Sequence, residues 1–304
     1  MKKKHFLLLM LLAILWGASF LWIRVAAPSF GPFVLMDLRV LVAAGVLGIY
    51  AWIRKKKIDL YANWKDFLIL GAINAAIPFT LIAYSELVVS SSLASILNAL
   101  TPLCTAVVAW MWVKDPLRWK KITGLLVGVA GVMVLVGLDL GQEVDSKVFY
   151  LAVVCSLVAT ISYAFGGVYI SKYLKKVDTL SFSIGQQVSA GIWLLPFALT
   201  HLPTTMPTWQ AWASLAMLAI VSTAIAYLIY FSLIQSIGSI RTLMVTFLNP
   251  IFGTIFGAIL LHEPVSSNLF IGLILILFSI FLVSNLSEKK EEVPVSDLAK
   301  KTAS

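Results

Sequence analysis

The stretch NALTPLCTAVVAWMWVKDPLRWKKITG, residues 98–124, has a counterpart 148 positions later in TFLNPIFGTIFGAILLHEPVSSNLFIG, residues 246–272. In each stretch a proline interrupts a long apolar run, and the run ends in a basic, an acidic and a proline residue. These corners are Lys114-Asp115-Pro116 and His262-Glu263-Pro264. At the neighbouring offset of 147, Arg39 falls on Gln186. The recurrence of this order at a nearly constant offset predicts a duplicated chain.

The amino-acid composition indicates whether the duplicated chain folds in water or in a membrane. Of the 304 residues, 60% are apolar and 12% are charged, and the mean hydropathy is +0.96. Soluble domains average about 45–50% apolar and about 25% charged residues. One soluble core cannot bury so much apolar surface. The composition therefore excludes a soluble enzyme, a nucleic-acid-binding domain, a collagen-like chain and a disordered protein.

Ten apolar stretches are long enough to cross a bilayer, which takes about 20 residues in a helix. They are residues 6–27, 33–53, 67–89, 92–113, 122–138, 148–171, 180–200, 209–234, 239–261 and 268–286. We expect an all-α integral membrane protein with a first five-helix repeat at 1–138, an external linker at 139–147, a second repeat at 148–286 and a disordered cytoplasmic tail at 287–304.

The basic residues predict the orientation. Segments on the side of the N-terminus carry nineteen Lys and Arg, and segments on the other side carry one, Lys147. Because basic residues are retained in the cytoplasm, both termini are predicted to be cytoplasmic in the cell membrane. The net charge of +9 then needs no nucleic-acid partner. A unit with an odd number of helices ends on the side opposite its start, so the two repeats have inverted topology.

These residues resemble a known family. The stretch Leu15-Trp16-Gly17-Ala18-Ser19-Phe20, Arg39, the region from Tyr84 to Pro102 and the two acidic-proline corners are similar to the EamA-type members of the drug/metabolite transporter superfamily. Asp115 departs from the glutamate that is more frequent at its position. The resemblance implies a membrane transporter, not an enzyme, which exports or exchanges small metabolites, often amino acids, through a central cavity.

Two prolines near mid-bilayer mark the expected cavity. A proline inside a helix frees a carbonyl, which lipid tolerates only where another group satisfies it. Asn98 and Thr101 precede Pro102, and Thr246 and Asn249 precede Pro250. These amides and hydroxyls either cross-link helices or line the cavity, and we favour the second interpretation.

The set predicted to line the cavity adds aromatic and neutral polar side chains, which suit a small zwitterion or aromatic metabolite. It comprises Trp16, Tyr84, Asn98, Thr101, Pro102, Tyr163, Gln186, Ser222, Thr223, Tyr227, Tyr230, Thr246, Asn249 and Pro250. Two further polar residues, Asn74 and Gln187, are expected nearer one face of the membrane or the other, as are five members of this set: Tyr84, Tyr163, Gln186, Tyr227 and Tyr230.

Four ionisable residues fall in the outer third of the spans: Arg24, Asp37, Arg39 and Glu86. Charges within a membrane are costly, so they pair or face water. They either join the first three helices structurally, or they form an outer gate or a carboxylate that takes up a proton. Arg241 is the one charged residue expected within a span near the inner face.

Other chemistry finds little support in the sequence. No nucleotide-binding, metal-ligand or hydrolase motif is present, so no cofactor is expected. Gly124, Gly128 and Gly131 permit close helix packing, within the chain or in a homodimer.

An uptake permease or facilitative exchanger would share every feature above. A membrane enzyme, or a structural or receptor subunit, is the alternative of another class.

Overall fold

The computed structural model describes residues 3–117, 119–137, 145–174, 177–237, 242 and 245–284. Arg241, most of the expected linker and the expected tail lie outside the described residues. Within the described part there are ten helical segments, which coincide with the ten apolar stretches. Eight are long and apolar enough to cross a membrane, and two shorter apolar helices complete the set.

The helices are labelled α1 to α10 in chain order. The continuous ones are α1 (Lys3–Phe30), α2 (Pro32–Ile53), α5 (Trp119–Gly137), α6 (Ser146–Tyr173), α7 (Thr179–Thr200), α9 (Val245–Leu260) and α10 (Ser267–Ser284). Their connections are short, so successive helices run antiparallel. The face where α1 begins and α10 ends is called the N-terminal face below.

Two helices contain a π-helical segment, and they are the third helix of each repeat. α3 runs as Trp64–Gly71, a π-helix at Ala72–Ala76 and Ile77–Ser85. α8 runs as Trp209–Ala216, a π-helix at Met217–Ile225 and Ala226–Ile237. π-Segments inside α-helices are rare and occur frequently at functional sites.

The predicted interruption of the fourth span is present. α4 consists of Ser91–Asn98 and Thr101–Val113, separated by a turn at residues 99–100. Pro102 lies in the first turn of the second piece. Its counterpart Pro250 lies inside α9, where the helix is continuous. The two prolines thus act differently, one at a helix break and one within a helix.

The repeats pack into each other and not side by side. α1 packs against α8 and α9, while its counterpart α6 packs against α3 and α4. α2 packs against α8 and α7 against α3; the equivalent helices α2 and α7, α4 and α9, and α5 and α10 pack against each other. Exchanging the repeats maps this set of contacts onto itself. The fold is therefore an all-α integral membrane bundle of two inverted five-helix repeats, as predicted.

The glycine stripe of α5 packs within the chain. A Cβ at Gly124 would lie 2.7 Å from Val283, and one at Gly131 would lie 2.9 Å from Ile276. A Cβ at Gly128 would lie 3.2 Å from Ser279 Oγ. These glycines bring α5 and α10 into close contact, while large apolar side chains such as Met133 and Phe278 remain exposed on the outer surface of this pair.

Candidate functional site

A buried arginine lies where α2 meets the π-segment of α8. Arg39 is 6% exposed, and its Nε donates a hydrogen bond to Thr223 Oγ1 over 3.0 Å. Its Cζ lies 3.9 Å from the ring centroid of Phe79, and its NH1 lies 3.8 Å from Met36 Sδ. Within the described residues, no carboxylate oxygen lies within 4.0 Å of this guanidinium. The direct contacts of Arg39 are therefore all with neutral groups, while the charge of Glu86 acts on it from a greater distance.

The equivalent position of the second repeat makes the equivalent contact with a neutral side chain. Gln186 Oε1 accepts a hydrogen bond from Asn74 Nδ2 over 2.8 Å, and Gln186 Nε2 donates to Tyr227 Oη over 3.4 Å. Asn74 belongs to the π-segment of α3 as Thr223 belongs to that of α8. The second helix of each repeat is thus hydrogen-bonded to the π-segment of the other repeat.

Local structure explains how the two π-segment residues are positioned. Thr223 Oγ1 donates to the carbonyl of Leu218, five residues earlier, over 2.8 Å. Asn74 fits against α6 because residue 166 is a glycine, where a Cβ would lie 2.6 Å from Asn74 Oδ1. Asn74 and Gln186 are among the polar residues predicted within the spans, and the structure brings them into hydrogen-bonding contact.

Aromatic rings surround these polar contacts. Trp16 in α1 lies 5.4 Å from Tyr230 and 6.4 Å from Tyr227, measured between ring centroids. Tyr163 in α6 lies 6.2 Å from Phe79, the ring that Arg39 covers. We call the following set the central cluster: Trp16, Arg39, Asn74, Phe79, Tyr163, Gln186, Thr223, Tyr227 and Tyr230. It combines one cation, neutral hydrogen-bonding groups and aromatic area at the repeat interface.

At the break in α4, a threonine hydroxyl donates a hydrogen bond to the carbonyl that Pro102 leaves without a donor. Pro102 cannot donate to the carbonyl of Asn98, and Thr101 Oγ1 donates to that oxygen over 2.7 Å. Thr101 is thus the neighbouring polar group that satisfies the freed carbonyl. In α9, Pro250 is buried, and Thr246 and Asn249 are half-buried.

Several polar atoms near the repeat interface are buried without a hydrogen-bond partner in the described part of the chain. They include Asn98 Oδ1 and Asn249 Oδ1, each shortly before the proline of its repeat, both amide atoms of Gln187, and Ser222 Oγ. Buried polar atoms are nearly always satisfied, by protein, water or ligand. α9 passes close to α1 here: a Cβ added at Gly17 would lie only 2.6 Å from Phe252 Cβ. These atoms are therefore candidates for binding a ligand or water.

The outer charges are arranged differently from simple ion pairs. The Arg24 guanidinium donates to the backbone carbonyl of Glu86. The Glu86 side chain is fully buried, and its two carboxylate oxygens have no hydrogen-bond partner among the described residues. Asp37 is buried beside Gly191 of α7, and Oδ1 has no partner there either. The structure joins Arg24 to Glu86 through the backbone and places Arg39 in the central cluster.

A third carboxylate, Glu263, acts at the face opposite the N-terminal face. Its Oε1 accepts from Ser91 N over 2.7 Å, and its Oε2 accepts from Ser92 N over 3.0 Å and from Ser92 Oγ over 2.6 Å. A carboxylate at the N-terminus of a helix is stabilised by free N–H groups and by the helix dipole. Glu263 therefore ties α4 to the end of α9. Its counterpart Asp115 pairs with Lys121 over 2.9 Å.

Some residues depart from the predicted set. Tyr84 is 37% exposed and packs edge-on against Phe33, with ring centroids 5.5 Å apart, so the structure does not bring it into the central cluster. Phe79, Asn74 and Glu263 were missing from that set. Asn74 carried a signal as a lone amide in an apolar stretch and Glu263 as part of a recurring corner. Phe79 carried none, because phenylalanine is ordinary in a membrane helix.

A cavity of about 510 Å³ opens at the N-terminal face, between the α2–α3 and α6–α7 connections. Its lining includes Asp59, Asn63, Lys172, Asp178 and Ser181. No group of acidic, histidine or cysteine side chains that could hold a metal ion occurs among the described residues.

Comparison with known proteins places the fold in context. The model of the EamA-like transporter family matches residues 3–137 and again 150–285. An uncharacterized transporter of Bacillus subtilis (strain 168), YvbV, is 26% identical over 297 residues, which are 97% of this chain and 96% of the relative. The uncharacterized inner membrane transporter YedA of Escherichia coli (strain K12) is 24% identical over 278 residues, 90% of this chain and 88% of that protein. A crystal structure of 17% identity covers 96% of this chain and 100% of its own, with a TM-score of 0.67.

Proposed function

The chain belongs to the EamA-like transporter family, and we propose that it is a secondary transporter that moves a small organic metabolite, an amino acid or a related compound, by alternating access between its inverted repeats. The observation that carries the proposal is the symmetric pair of contacts at the repeat interface, Arg39 with Thr223 and Gln186 with Asn74. Inverted-repeat transporters bind substrate between their repeats, near mid-membrane.

The mode of action follows from the way the repeats interlock. Each contact joins the second helix of one repeat to the π-segment of the other. Because the repeats have opposite orientations, exchanging their conformations would close one face and open the other around a fixed site. Both contacts involve π-segments, which occur frequently at functional sites.

We assign substrate contact to the central cluster and to the two asparagines beside the prolines. The rings of Trp16, Tyr163, Tyr227 and Tyr230 supply apolar area, and the unpartnered Asn98 and Asn249 oxygens supply hydrogen-bond acceptors. Binding sites for small molecules combine apolar walls with a few directed polar groups in this way. Tyr84 is not assigned, because its side chain is exposed on the surface.

We assign the closure of the opposite face to Arg24, Glu86, Asp37 and Glu263. Glu263 holds the start of α4, and Arg24 holds the carbonyl of Glu86 just before it. An ionised carboxylate is costly to bury without a partner and inexpensive where water reaches it. Glu86 is therefore our candidate for taking up a proton when this face closes and releasing it when the face opens.

Export is the direction we favour, because the resemblance to EamA-type transporters implies it. Both termini are assigned to the cytoplasm, because segments on the side of the N-terminus carry nineteen Lys and Arg and segments on the other side carry one. The N-terminal face, with its cavity between the α2–α3 and α6–α7 connections, would then lie on the cytoplasmic side.

The test is substrate counterflow with purified protein in liposomes. Vesicles are preloaded with one unlabelled amino acid or nucleobase, and uptake of the same labelled compound is followed against protein-free vesicles. We expect transient accumulation of label for at least one compound. An imposed gradient then distinguishes coupled export from uptake or facilitated exchange. Absence of exchange for every compound, in protein that remains folded, would contradict the proposal.

A further inference from the structure

We propose that Arg39 binds the carboxylate group of the transported substrate and so determines which compounds the protein accepts. This inference rests on the proposed transport function and specifies the chemistry of its central site. It starts from the contacts of the guanidinium, which are one hydroxyl oxygen, one thioether sulfur and one ring face. A guanidinium carries five N–H donors, and these contacts leave most of them without an oxygen acceptor.

A buried cation of this kind requires a counter-charge. Arginine is almost never fully buried unless it is paired. The reason is that removing a charged group from water costs on the order of several kcal/mol. Arg39 is 94% buried and has no carboxylate within 4.0 Å in the described chain. A face of Phe79 and a threonine hydroxyl compensate only part of this cost.

Neither Asp37 nor Glu86 contacts the guanidinium, although the charge of Glu86 acts on it from beyond contact distance. Asp37 is two residues away on the same helix, which directs it away from Arg39, and it lies beside Gly191 of α7. The carboxylate oxygens of Glu86 accept no hydrogen bond, from Arg39 or from any other described residue. The N–H donors of Arg39 therefore remain available to a negatively charged ligand.

The shape of the site indicates a carboxylate. The planar guanidinium matches the two oxygens of a carboxylate, which it binds through parallel hydrogen bonds. The site offers a single cation, which matches one negative charge, and aromatic rings, which match an apolar side group. The equivalent residue of the other repeat is the neutral Gln186, bonded to Asn74. The charge therefore lies on one side of the central cluster only, which fixes the orientation of the substrate.

The test compares carboxylates with amides of the same compounds. The probes are L-phenylalanine and phenylalaninamide, L-leucine and leucinamide, and phenylacetate and phenylacetamide. Each is measured by the shift in thermal unfolding of the purified protein and by competition in counterflow. We expect the carboxylates to bind at least about 10-fold more tightly than their amides, as charge-assisted hydrogen bonds allow.

Variants assign the preference to Arg39. Arg39→Gln should abolish the preference for carboxylates, and Arg39→Lys should keep part of it. Lys65→Gln, on the surface beside Trp64, removes the same charge and should keep all of it. If Arg39→Gln does not fold, the preference of the wild type for carboxylates remains the deciding measurement.

Two results would overturn the inference while leaving transport intact: exchange of amides as readily as carboxylates, or an Arg39→Gln protein that still prefers carboxylates. Failure of every probe to bind and to exchange would overturn the inference together with the proposed transport of amino-acid-like compounds.

Discussion

Arg39 and Gln186 hold equivalent positions in the two repeats, and each is hydrogen-bonded to the π-segment of the opposite repeat. The symmetry is structural, while the chemistry differs, since one side chain is a cation and the other a neutral amide. An interface built in this way can exchange its two halves between conformations and still present the substrate with a single charged group.

The space that Gly166 leaves for Asn74 gives a local prediction. Gly166→Ala would place a methyl group 2.6 Å from Asn74 Oδ1 and displace the side chain that holds Gln186. We expect a loss of stability of about 1–3 kcal/mol and slower transport. The matched control is Gly167→Ala, because no atom lies within 4 Å of a Cβ at that position. Equal behaviour of the two variants in thermal unfolding and counterflow would contradict the packing of Asn74.

The asparagines beside the prolines should matter more for transport than for folding. Asn98→Ala and Asn249→Ala each remove a buried oxygen that has no partner in the described protein, so little stability is lost with it. We expect transport to fall by about 10-fold or more, as for a lost polar contact to substrate, at nearly unchanged abundance. Asn268→Ala, in the first turn of α10, serves as control. A parallel fall of transport and abundance would indicate that the amides cross-link helices.

Glu86→Gln separates proton coupling from structure. The glutamine has the shape of a protonated glutamate and removes a charge that is buried without a partner, so we expect normal abundance. Exchange should continue, while its acceleration by a pH gradient should disappear, because the neutral side chain no longer takes up and releases a proton. Counterflow and gradient-driven transport are measured in the same vesicles. A response to pH that survives the substitution would exclude Glu86 as the coupling group.

Reporter fusions test the topology. A cytoplasmic reporter should be active when fused after Ser304 or inserted at residues 54–66, and an external reporter should be active when inserted at residues 139–147. The expected result follows from the distribution of lysine and arginine. An external C-terminus would be incompatible with ten spans and with the inverted repeats.

Periodicity and chemistry predicted the parts of the fold that depend on local sequence. Ten apolar stretches gave ten helices, and the missing N–H of Pro102 implied that a neighbour such as Thr101 must satisfy the carbonyl of Asn98. The recurring corner at Glu263 was visible as a motif, but its contact with Ser91 and Ser92 joins residues about 170 positions apart and depends on tertiary packing.

The remaining features were inaccessible for physical reasons. The π-segments at Ala72–Ala76 and Met217–Ile225 contain polar residues, Asn74 in one and Ser222 and Thr223 in the other, but the same residues occur in α-helices, so the sequence does not reveal the π-helical geometry. Arg39 was predicted among the outer charges from its position along the helix, but that position does not reveal that its guanidinium contacts Thr223 and Phe79. Tyr84 packs against Phe33 and not with the central cluster, because a residue's position along a helix does not fix the side that it faces.

The most direct measurement of alternating access is thiol labelling at the central site from each side of the membrane. Cys104 and Cys155 are the two cysteines of the chain, and in a variant that lacks both, the conservative change Ser222→Cys introduces a single thiol in the π-segment of α8, next to Thr223. We predict that a membrane-impermeant reagent labels position 222 in right-side-out and in inside-out vesicles, and that transported substrate protects it in both. Labelling from one side only, in protein that still catalyses counterflow, would contradict a single central site that opens alternately to the two faces.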